Sequence, residues 1–137
     1  MLDWFAFQTG AIAFVIAFVA AVTFFSAFKF VYQMITPYNE RTLIREGNTA
    51  AAIALGGALI GYVLPLASAL SQTVSLAEFA AWALLAGVIQ ILAFIVVSRL
   101  LYRALASRIE AGETAAGVYL ASISIGVGLL NAACMTA

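Results

Sequence analysis

Charged residues are scarce in this sequence: 9% of its 137 residues are Asp, Glu, Lys or Arg, whereas 66% are hydrophobic. A soluble domain carries about 25% charged residues, because its surface faces water. Six basic and six acidic side chains cannot cover a water-facing surface of this size. The composition therefore excludes a soluble globular domain, a disordered chain and a nucleic-acid-binding protein. It predicts an all-α integral membrane protein whose first partner is the lipid bilayer.

Histidine is absent, and Cys134 is the single cysteine. The sequence therefore lacks the commonest metal ligand and general base, and it has no second thiol for an internal disulfide. It contains no Ser-His-Asp set and no phosphate-binding glycine-rich loop. We expect no catalytic residue, no metal site and no cofactor. The first 28 residues contain no Lys or Arg, so the first apolar run predicts a retained span rather than a signal peptide.

Four apolar runs are long enough to cross a hydrocarbon core of about 30 Å, which takes about 20 residues. They are Thr9–Ile35, Thr49–Gln72, Leu76–Tyr102 and Thr114–Thr136. The connections between them are short, so the spans are expected to pair as antiparallel hairpins. The sequence predicts a four-helix bundle that forms a single transmembrane domain, residues 1–137.

The basic residues predict the orientation of the bundle. All six lie in or beside the first and third connections: Lys29, Arg41, Arg45, Arg99, Arg103 and Arg108. The other side carries Asp3 and Glu78. Because basic loops remain cytoplasmic, loops 36–48 and 103–113 are predicted to lie in the cytoplasm. Both termini are then outside, in a multi-pass protein of a bacterial inner (cytoplasmic) membrane.

The two halves of the chain resemble each other at an offset of 65 residues. Gly-Asn-Thr-Ala-Ala at 47–51 aligns with Gly-Glu-Thr-Ala-Ala at 112–116. The match predicts two tandem helical-hairpin repeats, residues 8–72 and 73–137, that enter the membrane in parallel orientation. The candidate site residues at these helix starts are Gly47, Asn48, Thr49, Gly112, Glu113 and Thr114. Asn48 suits an N-cap, as does Glu113 or Thr114, and the alternative is a paired polar site at a pore mouth.

Small residues at spacings of three and four predict how the spans pack. The second span carries Gly57-x-x-x-Gly61, and the fourth carries Ser122-x-x-x-Gly126. Such pairs let two backbones approach closely, which is how helices associate without a hydrophobic driving force. Spans two and four are therefore predicted to pack together, with the aromatic spans one and three outside them.

The candidate polar residues within the spans are Lys29, Gln90 and Asn131. Lys29 can extend its stem to the headgroups, or it can form an ion pair with Glu40 or Glu46. Gln90 and Asn131 can bond between helices, or they can line a polar lumen together with Ser122 and Ser124.

The first connection carries residues that resemble a known family. Thr36-Pro37-Tyr38-Asn39-Glu40, followed by Glu-Gly-Asn-Thr-Ala-Ala-Ala-Ile at 46–53 and Gly-Gly-x-x-x-Gly at 56–61, is similar to the YjfL-like inner-membrane proteins (domain of unknown function family 350). The resemblance implies four spans in two related halves, and a setting near envelope-stress proteins of the phage-shock type. Its site residues are Thr36, Tyr38, Asn39 and Glu40. The second half departs from the motif, since Glu113 stands where the first has Asn48.

Three functions are compatible with these features. The first is a non-enzymatic membrane protein that forms a homo-oligomer and docks a cytoplasmic stress protein. The second is a small ion channel or transporter with a path at the repeat interface. The third, an intramembrane enzyme, has least support, because no activated nucleophile or acid–base pair is visible.

Overall fold

A computed structural model describes residues 3–136; the predicted domain also includes residues 1, 2 and 137, which lie outside this range. The described chain is all-helical. Its elements are α1 (Trp4–Ile35), α2 (Glu40–Arg45), α3 (Thr49–Gln72), α4 (Leu76–Ile95, continued by a π-helical segment, Val96–Leu101), α5 (Leu105–Glu110) and α6 (Thr114–Cys134). The predicted all-α fold, with four helices long and apolar enough to span a membrane, is confirmed.

Helix α1 begins earlier than the sequence predicts, because Asp3 caps it. The carboxylate of Asp3 accepts hydrogen bonds from the backbone N–H groups of Phe5 and Ala6, at 3.0 and 3.3 Å. The helix has 32 residues, or a length of about 48 Å at 1.5 Å per residue. This exceeds the hydrocarbon thickness of about 30 Å, so α1 must tilt or extend beyond the core.

Helices α3 and α6 form the centre of the bundle and run side by side in the same direction. Gly57 lies against Ala121, and Gly61 lies against the backbone of Ser124. Further along, the Ser68 hydroxyl donates to the carbonyl of Ala132 at 3.4 Å. A methyl group added at Gly57 or Gly61 would overlap α6, so the absence of a side chain at these positions sets the helix separation.

The contacting face of α6 differs from the predicted one. Ser122 is exposed, and open space surrounds Gly126, so the prediction that these two residues mediate the close approach is wrong. Gly117 and Gly128 contact α3 instead, and a methyl group at Gly128 would overlap the backbone of Gly61. Each step of one residue turns a helix face by about 100°, so the true contact lies on a different side of α6.

Aromatic side chains join α1 to α3 and α4. Phe28 stacks on Tyr62 with ring centroids 4.4 Å apart, and the Tyr62 hydroxyl donates to the carbonyl of Ala83 at 2.9 Å. Phe28 and Tyr32 are the side chains of α1 that are buried within the described chain. Most of α1 therefore lies on the outside of the bundle, with its apolar surface exposed.

Candidate functional site

Both long connections lie at one end of the bundle, which we call the loop face (residues 36–48 and 102–113). Each contains a short helix that the sequence did not predict, α2 or α5. A glycine with positive φ follows each short helix, Gly47 at +88° and Gly112 at +87°. Gly47 N–H donates to the carbonyl of Ile44, and Asn48 N–H donates to that of Leu43. This pair of bonds is a Schellman motif, in which a left-handed glycine ends one helix. The same two bonds close α5 at its glycine.

Asn48 links the two connections of the loop face. Its Oδ1 accepts from the backbone N–H of Ala51 at 3.0 Å, which caps α3. Its Nδ2 donates to the carbonyls of Ile109 and Glu110 at 3.0 and 3.1 Å, at the end of α5. One half-buried side chain therefore starts a helix in the first half and binds the backbone of the second. Thr49, the next residue, begins α3 and is exposed.

Glu113 occupies the corresponding position before α6 but makes different contacts. Its side chain does not cap the helix, so the expected cap from Glu113 or Thr114 is wrong. Glu113 Oε2 accepts from Arg108 Nε at 2.7 Å, and Arg108 also donates to the hydroxyl of Tyr102. A carboxylate carries no donor, so it cannot bond to helix-end carbonyls as the Asn48 amide does.

A buried polar cluster follows the end of α1. The Thr36 hydroxyl donates to Glu40 Oε1 at 2.7 Å, and the side chains of Tyr32 and Tyr38 lie beside it. Glu40 is 2% exposed. Its Oε2 and the hydroxyl of Tyr32 are buried and have no hydrogen-bond partner in the described chain. Burial raises the pKa of Glu40 to about 7, although Thr36 and the charge of Lys29 lower it.

The cluster opens into a cleft of about 520 Å³ on the outside of the loop face. The side chains of Phe30, Met34 and Pro37 form its apolar part, and Glu40 and Arg41 contribute to its polar part. A volume in this range is typical of sites that bind small molecules. Burial among these groups and the neighbouring charge of Glu40 raise the pKa of Tyr38, so its phenol stays protonated at neutral pH.

The four residues of the family-like motif meet at this cleft. Thr36, Tyr38 and Glu40 are buried, while Asn39 is exposed and caps α2 by accepting from the backbone N–H of Thr42 at 3.2 Å. The motif therefore builds both the short helix and the polar wall of the cleft.

Intramembrane polar groups join α4 to α6. Gln90 Nε2 donates to the carbonyl of Ser124 at 3.2 Å. Asn131 Nδ2 donates to the carbonyl of Ala86 at 3.1 Å and to Gln90 Oε1 at 3.3 Å. Both amides are buried, so these residues bond between helices within one protomer.

Lys29 is exposed on α1, near the loop face. In residues 3–136 no ion pair within 4 Å joins it to Glu40 or Glu46. Its position fits a side chain whose ammonium group extends to the headgroups.

The sequence did not predict the part that Tyr32 plays in the buried cluster, nor the use of the Ser124 backbone as an acceptor. Tyr32 lies one helical turn before Thr36, and this spacing alone predicts that the two side chains share a face. Ser124 contributes its backbone carbonyl to Gln90, and no side-chain pattern reveals a backbone acceptor.

Four apolar helices joined by short connections, with buried amides bonded between them, define a multi-pass α-helical membrane protein. Residues 6–135 match the family described as Domain of Unknown Function (DUF350), and the chain belongs to this family. Over 125 residues it is 44% identical to the UPF0719 inner membrane protein YjfL of Escherichia coli strain K12, covering 91% of this chain and 94% of that protein. The protein of the same name from Escherichia coli O157:H7 gives the same values. No solved structure gives a significant match.

Proposed function

We propose that this protein is a non-enzymatic inner-membrane scaffold. It assembles with copies of itself and docks a cytoplasmic partner protein through the loop face. The observation that carries the proposal is an exposed face of α6 whose residues correspond to those by which α3 packs inside the protomer.

The proposal treats residues 8–72 and 73–137 as tandem repeats. In each half, a long helix is followed by a short helix, a Schellman motif with a positive-φ glycine, and a second long helix. Gly112 lies 65 residues after Gly47, the same offset as in the sequence match. The shared direction of α3 and α6 supports a parallel orientation of the two hairpins.

Around Ser122 and Gly126, one face of α6 is open within residues 3–136, although its counterpart on α3 is packed. Gly57 and Gly61 of α3 contact α6. Their counterparts 65 residues later are Ser122 and Gly126, which lie on the outside of α6. If the halves are repeats, α6 displays a second copy of the surface that α3 uses internally.

A complementary surface lies on the outside of α3. Gly117 and Ala121 are residues by which α6 contacts α3, and their counterparts 65 residues earlier are Ala52 and Gly56. Ala52 is exposed, and open space surrounds Gly56. The outer face of α3 in a second copy can therefore pack on the outer face of α6. Such a contact is head-to-tail, so it closes into a ring or continues as a row. Val63 corresponds to Gly128 of α6, and its side chain would hold the two helices apart at that level. The contact between copies is therefore closest at the end of the helices near the loop face.

The interhelical bonds of Gln90 and Asn131 favour a scaffold over a channel. These two buried amides lie within the spans, and each amide nitrogen donates to a backbone carbonyl of the facing helix. We expect purified protein in liposomes to give no cation flux above background. Flux that falls in Glu113→Gln, with insertion confirmed, would instead support a channel.

The loop face has the charge expected of a docking surface. Arg41, Arg45 and Arg103 are exposed there and form no ion pair within the described residues. The positive-inside rule supports a cytoplasmic location for this face. The same face exposes Glu46 and Glu110, so a partner that carries both acidic and basic side chains fits it. The family resemblance suggests a role in envelope stress.

Self-association is tested by Gly126→Leu, with Gly10→Leu as the matched control. Both glycines have open space around them in the protomer, so neither change should disturb the fold. We expect the wild type and Gly10→Leu to form oligomers in nanodiscs, and Gly126→Leu to give a smaller species with the same melting temperature. The measurements are native mass spectrometry and light scattering. A monomeric wild type, or a Gly126→Leu variant that assembles normally, would contradict the proposal.

A further inference from the structure

The cleft beside α2 lies where the apolar surface of the bundle ends. Phe30 and Met34, which line it, are 65% and 67% exposed on the outer surface of α1. The helix ends at Ile35, and the chain turns at Pro37 into the loop face. The cleft is therefore apolar on its membrane side and polar on its water side.

Glu40 lines the polar part of the cleft, and one of its carboxylate oxygens is buried and lacks a donor. Glu40 is 2% exposed, and its Oε1 accepts from Thr36. Its Oε2 has no partner in the described chain. Burial makes the ionised form of this carboxyl costly, so a donor that carries positive charge would stabilise that form. The nearby ammonium of Lys29 forms no ion pair with it within 4 Å.

A cation flanks this carboxylate on the same short helix. Arg41 lines the cleft and is exposed, and its guanidinium forms no ion pair in residues 3–136. A guanidinium binds phosphate through paired N–H groups. The cleft thus places the carboxylate of Glu40 and the guanidinium of Arg41 beside an apolar surface.

We propose that this cleft binds the headgroup of an aminophospholipid. The ammonium group donates to Glu40 Oε2, the phosphate contacts Arg41, and an acyl chain lies along Phe30 and Met34. A lipid with a quaternary ammonium has no N–H to donate, and one without an amine leaves Glu40 unpaired. The site therefore selects phosphatidylethanolamine over phosphatidylcholine and phosphatidylglycerol. The inference is independent of self-association and of a protein partner.

The test measures lipid retention by native mass spectrometry, using phosphatidylethanolamine, phosphatidylcholine and phosphatidylglycerol with identical acyl chains. We expect phosphatidylethanolamine to be retained about tenfold better, since one hydrogen bond to a charged group separates the lipids. Glu40→Gln should abolish the preference, and Arg41→Ala should weaken retention of all three. Arg45→Ala is the matched control on the same helix, outside the cleft, and should behave as the wild type.

A second series leaves the protein unchanged. Mono- and dimethylated phosphatidylethanolamine keep a donor on nitrogen, whereas phosphatidylcholine has none, so wild-type retention should fall most at the last methylation. Equal retention of all headgroups, or a loss of preference in Arg45→Ala as large as in Glu40→Gln, would overturn the proposal. Preferential retention of phosphatidylglycerol would show a site for anionic lipids, and it would also overturn it.

Discussion

Asn48 allows a direct measurement of how strongly the two halves of the loop face hold each other. Its amide makes three hydrogen bonds, one from Ala51 N–H and two to the carbonyls of Ile109 and Glu110. Asn48→Ser keeps an oxygen that can cap α3 and removes both donated bonds. Asn48→Ala removes all three, and Asn48→Asp keeps the cap but sets a carboxylate against two carbonyl oxygens.

The expected magnitudes follow from this inventory. A net hydrogen bond contributes about 1 kcal/mol, and a lost N-cap also costs about 1 kcal/mol. Asn48→Ser should therefore lower the free energy of unfolding by about 2 kcal/mol, and Asn48→Ala by about 3 kcal/mol. Asn48→Asp should lower it at least as much as the serine variant. A residue that only capped its helix would cost about 1 kcal/mol in the alanine variant and little in the others.

Glu113→Ala is the matched control, because Glu113 occupies the corresponding position without a side-chain cap. Its ion pair with Arg108 is exposed, and exposed pairs contribute little, so its stability should match that of the wild type. Stability would be measured by titrating the purified protein from mild detergent into SDS, with circular dichroism as the signal. The reasoning is refuted if Asn48→Ser is as stable as the wild type, or if Asn48→Ala and Glu113→Ala lose the same amount.

Three further outcomes are expected. Gly61→Leu should cost about 3 kcal/mol, because the added side chain would force α3 away from α6. The exposed Phe18→Leu should be tolerated, and equal melting temperatures of the two variants in detergent would contradict this. Folding raises the pKa of Glu40 from 4.5 to about 7, so the free energy of unfolding should fall by about 3 kcal/mol as the pH rises from 4.5 to 7. If the stability of the wild type depended on pH no more than that of Glu40→Gln, this expectation would be wrong. Cys134, which is exposed, should react with an impermeant maleimide from the periplasmic side, and reaction only from the cytoplasm would reverse the proposed orientation.

Properties that depend on composition and on local backbone preference could be read from the sequence. The membrane class and the four spans follow from long apolar runs, which no soluble surface accommodates. Gly47 and Gly112 could be placed at the ends of connections, because left-handed backbone is open to glycine. Asn48 could be identified as a cap, since its short amide reaches the next turn of its own helix.

The partners of these residues depended on the tertiary structure. The carbonyls that Asn48 bridges lie more than 60 residues away, and the burial that raises the pKa of Glu40 exists only in the folded chain. The short helices α2 and α5 have six residues each, too few to be stable without the packing around them.

The rotation of α6 was the property least accessible from sequence. Ser122 and Gly126 form as good a small-residue face as Gly117 and Gly128, yet only the second pair meets α3. In a soluble protein, polar residues would mark the outer face of such a helix. In a membrane both faces are apolar, so the choice is made by the fit of one backbone against another, which exists only once the helices have packed.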